Sequence, residues 1–500
     1  MTQNVAPPDE AKDASTPAET EEPKVAAASE RRRSAYATRD LTQGSIPKTL
    51  WFLAWPSVVT DVLRAIDQLA DLFWAGFISF NAVATVGISQ TYVMVFNTGR
   101  TGLDAASRAM ISRAIGSKDI ALANHLTIQS LLLNSVFSLT WITLACIFAE
   151  WLLHLIGVTN ETVQEGVWYM RYRFIGSFFF TQTMSSSAAL SAAGDTVTAM
   201  KGQGINRILN VVLMPLLVFG WLGLPAMGFS GTGMAFLLAQ IPGAVLNYHA
   251  LLTGTSRLHI RLRDVRIDLP VMWRQLRIGI PASVTGMERS LAQIVVYGLV
   301  APFGDMSLAA YAMTSRLQNF MNIGFSGLGS ATGILVGQNL GAQRPERAIG
   351  TVWWALAGTA LMSAVVGTLI LLFPTAFVIP FTRDPALLAL SAQWLTIMVF
   401  GFLAMGVGQV FMQTFNTAGD TFFPMIVTLA SIWLVQQPFA IILSGLGQDW
   451  TILGWHIPLP SVSGLGEFGI AWAMVLAMVL RLFLYFPYFL KGSWMKRNVL

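Results

Sequence analysis

Apolar stretches of roughly 20 residues, the length that crosses a bilayer as an α-helix, recur along the whole chain between short polar segments, as in Leu131 to Phe148, Val352 to Phe373 and Ala471 to Phe489. Twelve spans can be drawn, at 48–77, 82–107, 121–148, 164–190, 196–219 and 228–252, then 273–301, 306–338, 348–373, 388–416, 421–445 and 466–490. The pattern predicts an all-α integral membrane protein of twelve helices in two six-helix lobes.

The second half repeats the first: residue n matches residue n + 225. Pro56 answers Pro281, Arg64 answers Arg289, Gln68 answers Gln293, and Ala193-Gly194-Asp195-Thr196 answers Ala418-Gly419-Asp420-Thr421. Because six spans map onto six, the halves share one orientation, a parallel repeat about an axis along the membrane normal. Near the end the spacing becomes 238, with Gly228, Gly231 and Ala235 matching Gly466, Gly469 and Ala473. The surplus falls in the last external loop, where Trp450 to Ser463 reads as an insertion capping the second lobe. The chain divides into a polar, disordered tail 1–45, a first lobe 46–253, a connector 254–272, a second lobe 273–490 and a tail 491–500.

Polar residues inside the spans are the candidate chemistry. Asp61, Arg64, Gln68 and Asp71 form one stripe of the first span, with Asp67 beside it. A charge at the bilayer centre costs about 2.5–3.5 kcal/mol on the insertion scale, so this stripe faces protein or a water-filled cavity. Either Asp71 or Asp67 binds a coupling cation with Arg64 as counter-charge, or Arg64 neutralises Asp61 and Asp67 and the network only fixes packing. The matching span carries Glu288, Arg289 and Gln293, and Glu288 is read either as a cavity-facing acid or as an ion-pair partner of Arg289. Asn206 and Asn210 share a face of span five and could supply oxygens to a cation or bond neighbouring helices. Span ten offers Gln409, Met412 and Phe415, an adaptable wall for an apolar ligand. Asp104, between Arg100 and Arg108, reads as a salt-bridged helix end.

Composition narrows the classes. The chain is 54% hydrophobic and 11% charged, against roughly a quarter charged in a soluble domain. One cysteine, Cys146, and five scattered histidines leave no disulfide framework or thiolate metal site. The net charge of +5 is placed by topology and not by nucleic acid: Lys118, Lys201, Arg257, Arg344 and Lys491 fall on one side, which the positive-inside rule makes cytoplasmic together with both termini. No nucleophile set, phosphate loop or metal cluster is visible, so no enzyme and no cofactor are expected.

The ordered motifs resemble the multidrug and toxic compound extrusion (MATE) family. They are Trp55-Pro56-Ser57, Asp71-Leu72-Phe73-Trp74-Ala75-Gly76, Gly116-Ser117-Lys118-Asp119, the run Leu209 to Gly220, and Gly228-Phe229-Ser230-Gly231-Thr232-Gly233. The resemblance covers Ile46 to Leu490 and implies two lobes around a V-shaped cavity in a bacterial inner membrane. It also implies a monomer that exports cationic amphipathic compounds in exchange for sodium ions or protons. A carboxylate near the end of span one and polar residues of span five form the family's first-lobe cation site, and Asp71 and Asn210 match it, with Na+ as one coupling ion. Many relatives carry an Asp four residues after that Asn; here Met214 stands there, which favours protons or a site completed by Asp67. Another branch uses acids on spans seven and ten. Glu288 lies one residue from the first position, and Gly406 and Gly408 occupy the neighbourhood of the second, so coupling is expected in the first lobe. The alternative function is a flippase for a lipid-linked precursor, which shares the architecture but needs a more basic cavity.

Overall fold

The computed structural model describes residues 39–76, 80–154, 160–223, 225–261, 263, 265–446, 451–452, 455–456, 465–497 and 499. Twelve long helices occupy them: α1 (Ile46–Gly76), α2 (Phe80–Gly116), α3 (Ile120–Ile147), α4 (Asn160–Ala192), α5 (Thr196–Phe219), α6 (Gly228–Thr253), α7 (Leu269–Val300), α8 (Asp305–Gly341), α9 (Pro345–Leu372), α10 (Pro385–Ala418), α11 (Phe422–Ser444) and α12 (Phe468–Lys491). Each sequence-derived span lies on its own helix. Asp side chains cap several starts: Asp119 accepts from the Leu122 N–H, Asp195 from Thr198 and Asp268 from Val271, each satisfying a donor that the helix itself cannot.

Two spans differ from expectation. The second runs on to Gly116, because the polar-looking stretch after Arg108 is packed between lobes: Ala109, Met110, Ile111, Ser112 and Ala114 are fully buried. The eleventh contains a π-helical turn over Ala430–Gln436. Of the expected external insertion, the described residues show a two-residue antiparallel pairing, Thr451 with His456 and Ile452 with Trp455; its remainder, and the polar tail before Arg39, lie outside the described residues.

Among the described residues eight helices contain a long apolar window, and the other four, α1, α2, α4 and α7, are richer in polar and charged positions. Three of those four build the contact between lobes. α1 crosses to pack on α8, and α7 crosses to pack on α2. The exchange reaches the cores: Leu50, Leu53 and Ala54 of α1 belong to the second-lobe core with Ala331, Ile334 and Val410, while Ile278 of α7 belongs to the first-lobe core with Met110, Leu126 and Ala192.

The crossing is pseudo-symmetric to single residues. A Cβ on Gly102 would overlap the Gly279 carbonyl and Ser283, and one on Gly327, the equivalent glycine, would meet the Ala54 carbonyl and Val58, the equivalents of Gly279 and Ser283. Further along, Gly116 lies on Gln338 and Gly341 lies on Arg113 in the same way. Ser283 Oγ donates to the Gly99 carbonyl at 2.7 Å and Gln338 Nε2 to the Ala192 carbonyl at 2.8 Å. These contacts lie in the second halves of α2 and α8 and the first halves of α1 and α7, with Ala192 at the end of α4. The lobes are therefore closed against each other on the face that carries the chain's described ends and the connector.

Those ends brace the same face. Leu41, 1% exposed in the second-lobe core, sits on Gly194 of the first lobe; Val499, 1% exposed in the first-lobe core, sits on Gly419 of the second. Both glycines turn with φ near +100° and +88°, a region that favours glycine, and the equivalent turns thus hold equivalent plugs. Arg344 and Arg347 donate to the Thr42 and Gln43 carbonyls, and Arg113 to that of Arg497, whose own guanidinium lies 3.6 Å from Asp420.

Candidate functional site

The polar stripe of α1 divides between two surroundings. Val59, Val62 and Ile66 form an exposed apolar face, and at 100° per residue Arg64 projects from the opposite side. Its guanidinium lies 3.3 Å from Asp61, with the side chains 44% and 16% exposed. Asp67 is turned toward α5 and is 3% exposed. Its Oδ1 accepts from Asn210 Nδ2 at 2.8 Å and its Oδ2 from Arg207. Arg207 lies over the Phe180 ring, 5.6 Å from its centroid. Arg64 therefore takes Asp61 alone, and a second arginine takes Asp67.

Arg207 is the residue that sequence reasoning missed. The signal was present: it precedes Asn210 by three positions, so both reach one face of α5, and one arginine on α1 could not balance three carboxylates. Asn206, by contrast, is committed to packing, since its Nδ2 donates to Thr183 Oγ1 and Gln240 Oε1 and its Oδ1 accepts from the Gly243 N–H at 2.7 Å. It does not join Asn210 at Asp67. Met214 is buried against Leu217, Val218 and Ala235. Asp71 and Gln68 lie on the α1 backbone, but their side chains are outside the described residues, so the pairing of Asp71 with Asn210 around sodium stays an expectation. At Asp67 the donor set does not suit a bound metal cation while Arg207 occupies it, because the guanidinium already stands where the ion would.

Elsewhere in the first lobe, Asp104 pairs with Arg100, both of them buried. This lies inside α2 and not at a helix end.

The second lobe sorts its candidates differently. Glu288, 4% exposed, is buried within the lobe, and among the described residues neither carboxylate oxygen has a hydrogen-bond partner. It is the equivalent of Leu63, which faces α5, and so points into its own lobe. The charges acting on it are Arg481 and Arg289; Arg481, on α12, also donates Nε to Ser431 Oγ at 3.2 Å within the π-helical turn. Arg481 was missed inside an apolar span. Phe415 is not a cavity residue: it is fully buried among Phe411, Tyr485, Tyr488 and Trp494. Gln409 packs its Cγ over Gly329 between α10 and α8. Arg289 is exposed, with Nη2 3.1 Å from Met412 Sδ, and Gln293 Nε2 donates to Ser315 Oγ at 3.1 Å.

Against known proteins, the MatE family model matches residues 56–216 and 281–442, once per lobe. A "Probable multidrug resistance protein NorM" of Thermotoga maritima is 26% identical over 467 residues, covering 91% of this chain and 94% of that protein. A "Probable multidrug resistance protein YoeA" of Bacillus subtilis is 22% identical over 411 residues, covering 81% and 89%. Among solved structures, one described as the outward-facing conformation of a multidrug resistance MATE family transporter superposes with a TM-score of 0.81 at 20% identity, over 93% of this chain and 100% of that one.

Proposed function

The chain belongs to the MatE family, and from that premise we propose that it is an ion-coupled exporter of small amphipathic molecules, driven through Asp67. The observation that carries this reading is a buried carboxylate held by Asn210 and Arg207 on the one first-lobe helix whose beginning is built into the other lobe's core. Among coupling ions the proton is favoured. A second cation beside Arg207 would add like-charge repulsion at close range, whereas a proton on Asp67 removes the charge that holds Arg207. Weakening that contact loosens α1 from α5 and alters the angle at which α1 joins the lobes. The face closed here is assigned to the cytoplasm by its basic residues, which makes the described state open to the outside. Binding, protonation and reversal of the lobe angle then form an alternating-access cycle.

The experiment is transport in proteoliposomes under proton and sodium gradients imposed one at a time. Proton-driven movement that Asp67→Asn abolishes is expected. A protein that moves no amphipathic compound under either gradient is not such an exporter.

A further inference from the structure

Charges within the spans divide by sign. The described carboxylates are shielded: Asp61 beside Arg64, Asp67 beside Arg207, Asp104 beside Arg100, and Glu288 inside its lobe. Among the described residues, the exposed charges well inside the spans are Arg289 and Arg316, and the Arg64 side chain is 44% exposed. Arg64 is balanced by Asp61, but Arg289 and Arg316 have no carboxylate within ion-pair distance among the described residues. Among the described residues the hydrogen-bonding contact of Arg289 is with the Met412 sulfur, a weak acceptor, and the nearby acid Glu288 forms no ion pair with it.

Helix geometry places both toward the space between the lobes. Arg289 is the equivalent of Arg64 and lies opposite the exposed apolar stripe Val284, Met287 and Leu291. Arg316 precedes Gly327 by eleven positions, three turns of helix, and so shares the face of α8 on which α1 packs. In the outward-open state proposed above, this face of α8 beyond the α1 contact lines the space between the lobes. The Gln293–Ser315 bond ties α7 to α8 at this level, one turn from Arg289 and one residue from Arg316. Each guanidinium opposes insertion at this position, which marks both as candidates for function.

We propose that Arg289 and Arg316 form an anion-binding subsite on the second-lobe wall, and that the cargo is an amphipathic organic anion bearing a carboxylate, phosphate or sulfonate. This replaces the organic cation that the family resemblance implies, and rests on the exporter reading above. Met412 beside Arg289 and the exposed Phe320, one turn after Arg316, supply apolar contact for the body of such a molecule. Planar guanidinium groups suit these oxyanions, which they bind in bidentate fashion.

The test uses two xanthene dyes of opposite charge, anionic carboxyfluorescein and cationic rhodamine 6G. Binding to the detergent-solubilised full chain is read by fluorescence anisotropy, and transport in proteoliposomes separately. Carboxyfluorescein is expected to bind preferentially, with its affinity falling about tenfold or more in Arg289→Gln and in Arg316→Gln, while melting temperatures hold and rhodamine binding does not fall. Preference for rhodamine, carboxyfluorescein binding unchanged in both variants, or no carboxyfluorescein binding overturns the subsite. Arginine-dependent binding without transport under any gradient supports the subsite and removes the exporter reading instead.

Discussion

Each lobe buries an acid and an arginine, but the two pairs are built differently. In the first, Asp67 on α1 has both oxygens engaged, by Asn210 and Arg207 of α5. In the second, Glu288 on α7 has neither oxygen engaged among the described residues, and the arginine charge acting on it from another helix, Arg481 of α12, bonds Ser431 instead. The equivalents of Asp67 and Arg207 are Ala292 and Ile432, and the equivalent of Arg481, at the later spacing of 238, is Gly243, on whose N–H Asn206 docks. Duplication preserved the glycine contacts of the crossing helices while the charges moved by a turn and to another partner helix. Scaffold and chemistry thus diverged at different rates.

The contrast is most severely tested at Asp67. Asp67→Ala leaves Arg207 buried beside no acid and should destabilise the protein by about 3–5 kcal/mol, with transport lost, as thermal unfolding and vesicle flux would register. Adding Arg207→Met should restore most of the melting temperature and none of the transport. A double variant that again follows a proton gradient would mean the pair is packing only. Next come the equivalent glycines. Gly102→Val and Gly327→Val should each oppose closure on the terminus-bearing face by about 1–3 kcal/mol, visible as increased labelling of a cysteine placed in that contact. An added Cβ would lie closer to a backbone carbonyl at Gly102 than at Gly327, where the separation is 3.2 Å, so both variants should oppose closure with the larger effect at Gly102; an effect at one glycine alone would break the symmetry of the crossing.

Smaller still is Glu288→Gln. No hydrogen bond is lost, so the melting temperature should hold or rise and proton-driven transport should fall a few-fold at most. Loss as complete as in Asp67→Asn would move the coupling site to the second lobe. The least effect belongs to Asp268, whose carboxyl is held below its usual range by the His125 hydrogen bond and then by the Val271 N–H. A depressed value stabilises the folded state above the unfolded pKa and is lost as pH falls. Asp268→Ala should therefore lower the melting temperature slightly at pH 7, an effect that begins to shrink near pH 4 and disappears as pH falls through the lower folded value.

The twelve helices were legible because a span's length and apolarity are fixed by the bilayer, and the repeat supplied an internal check. Which face of a helix meets which neighbour was not. Asp67 differs from Arg64 by about 60° of rotation, enough to put one against α5 and the other toward the lobe opening. A shared stripe in the sequence became two sites for that reason. Phe415 and Glu288 looked like cavity residues because composition cannot distinguish a wall's inner side from its outer. Arg108 to Gly116 looked like a loop because burial between two protein surfaces tolerates polarity that burial in lipid does not.

The exchange of α1 and α7 also governs how the protein can be made. The first turns of α1 share their core with α8 to α10, so they leave the ribosome more than two hundred residues ahead of that surface. During that interval the first-lobe core lacks Ile278 with its neighbours on α7 and Val499, and each half, synthesised alone, would lack the residues that the other lends to its core. Co-expressed halves should therefore reassemble, and a single half should survive only by borrowing the missing helix from a second copy of itself.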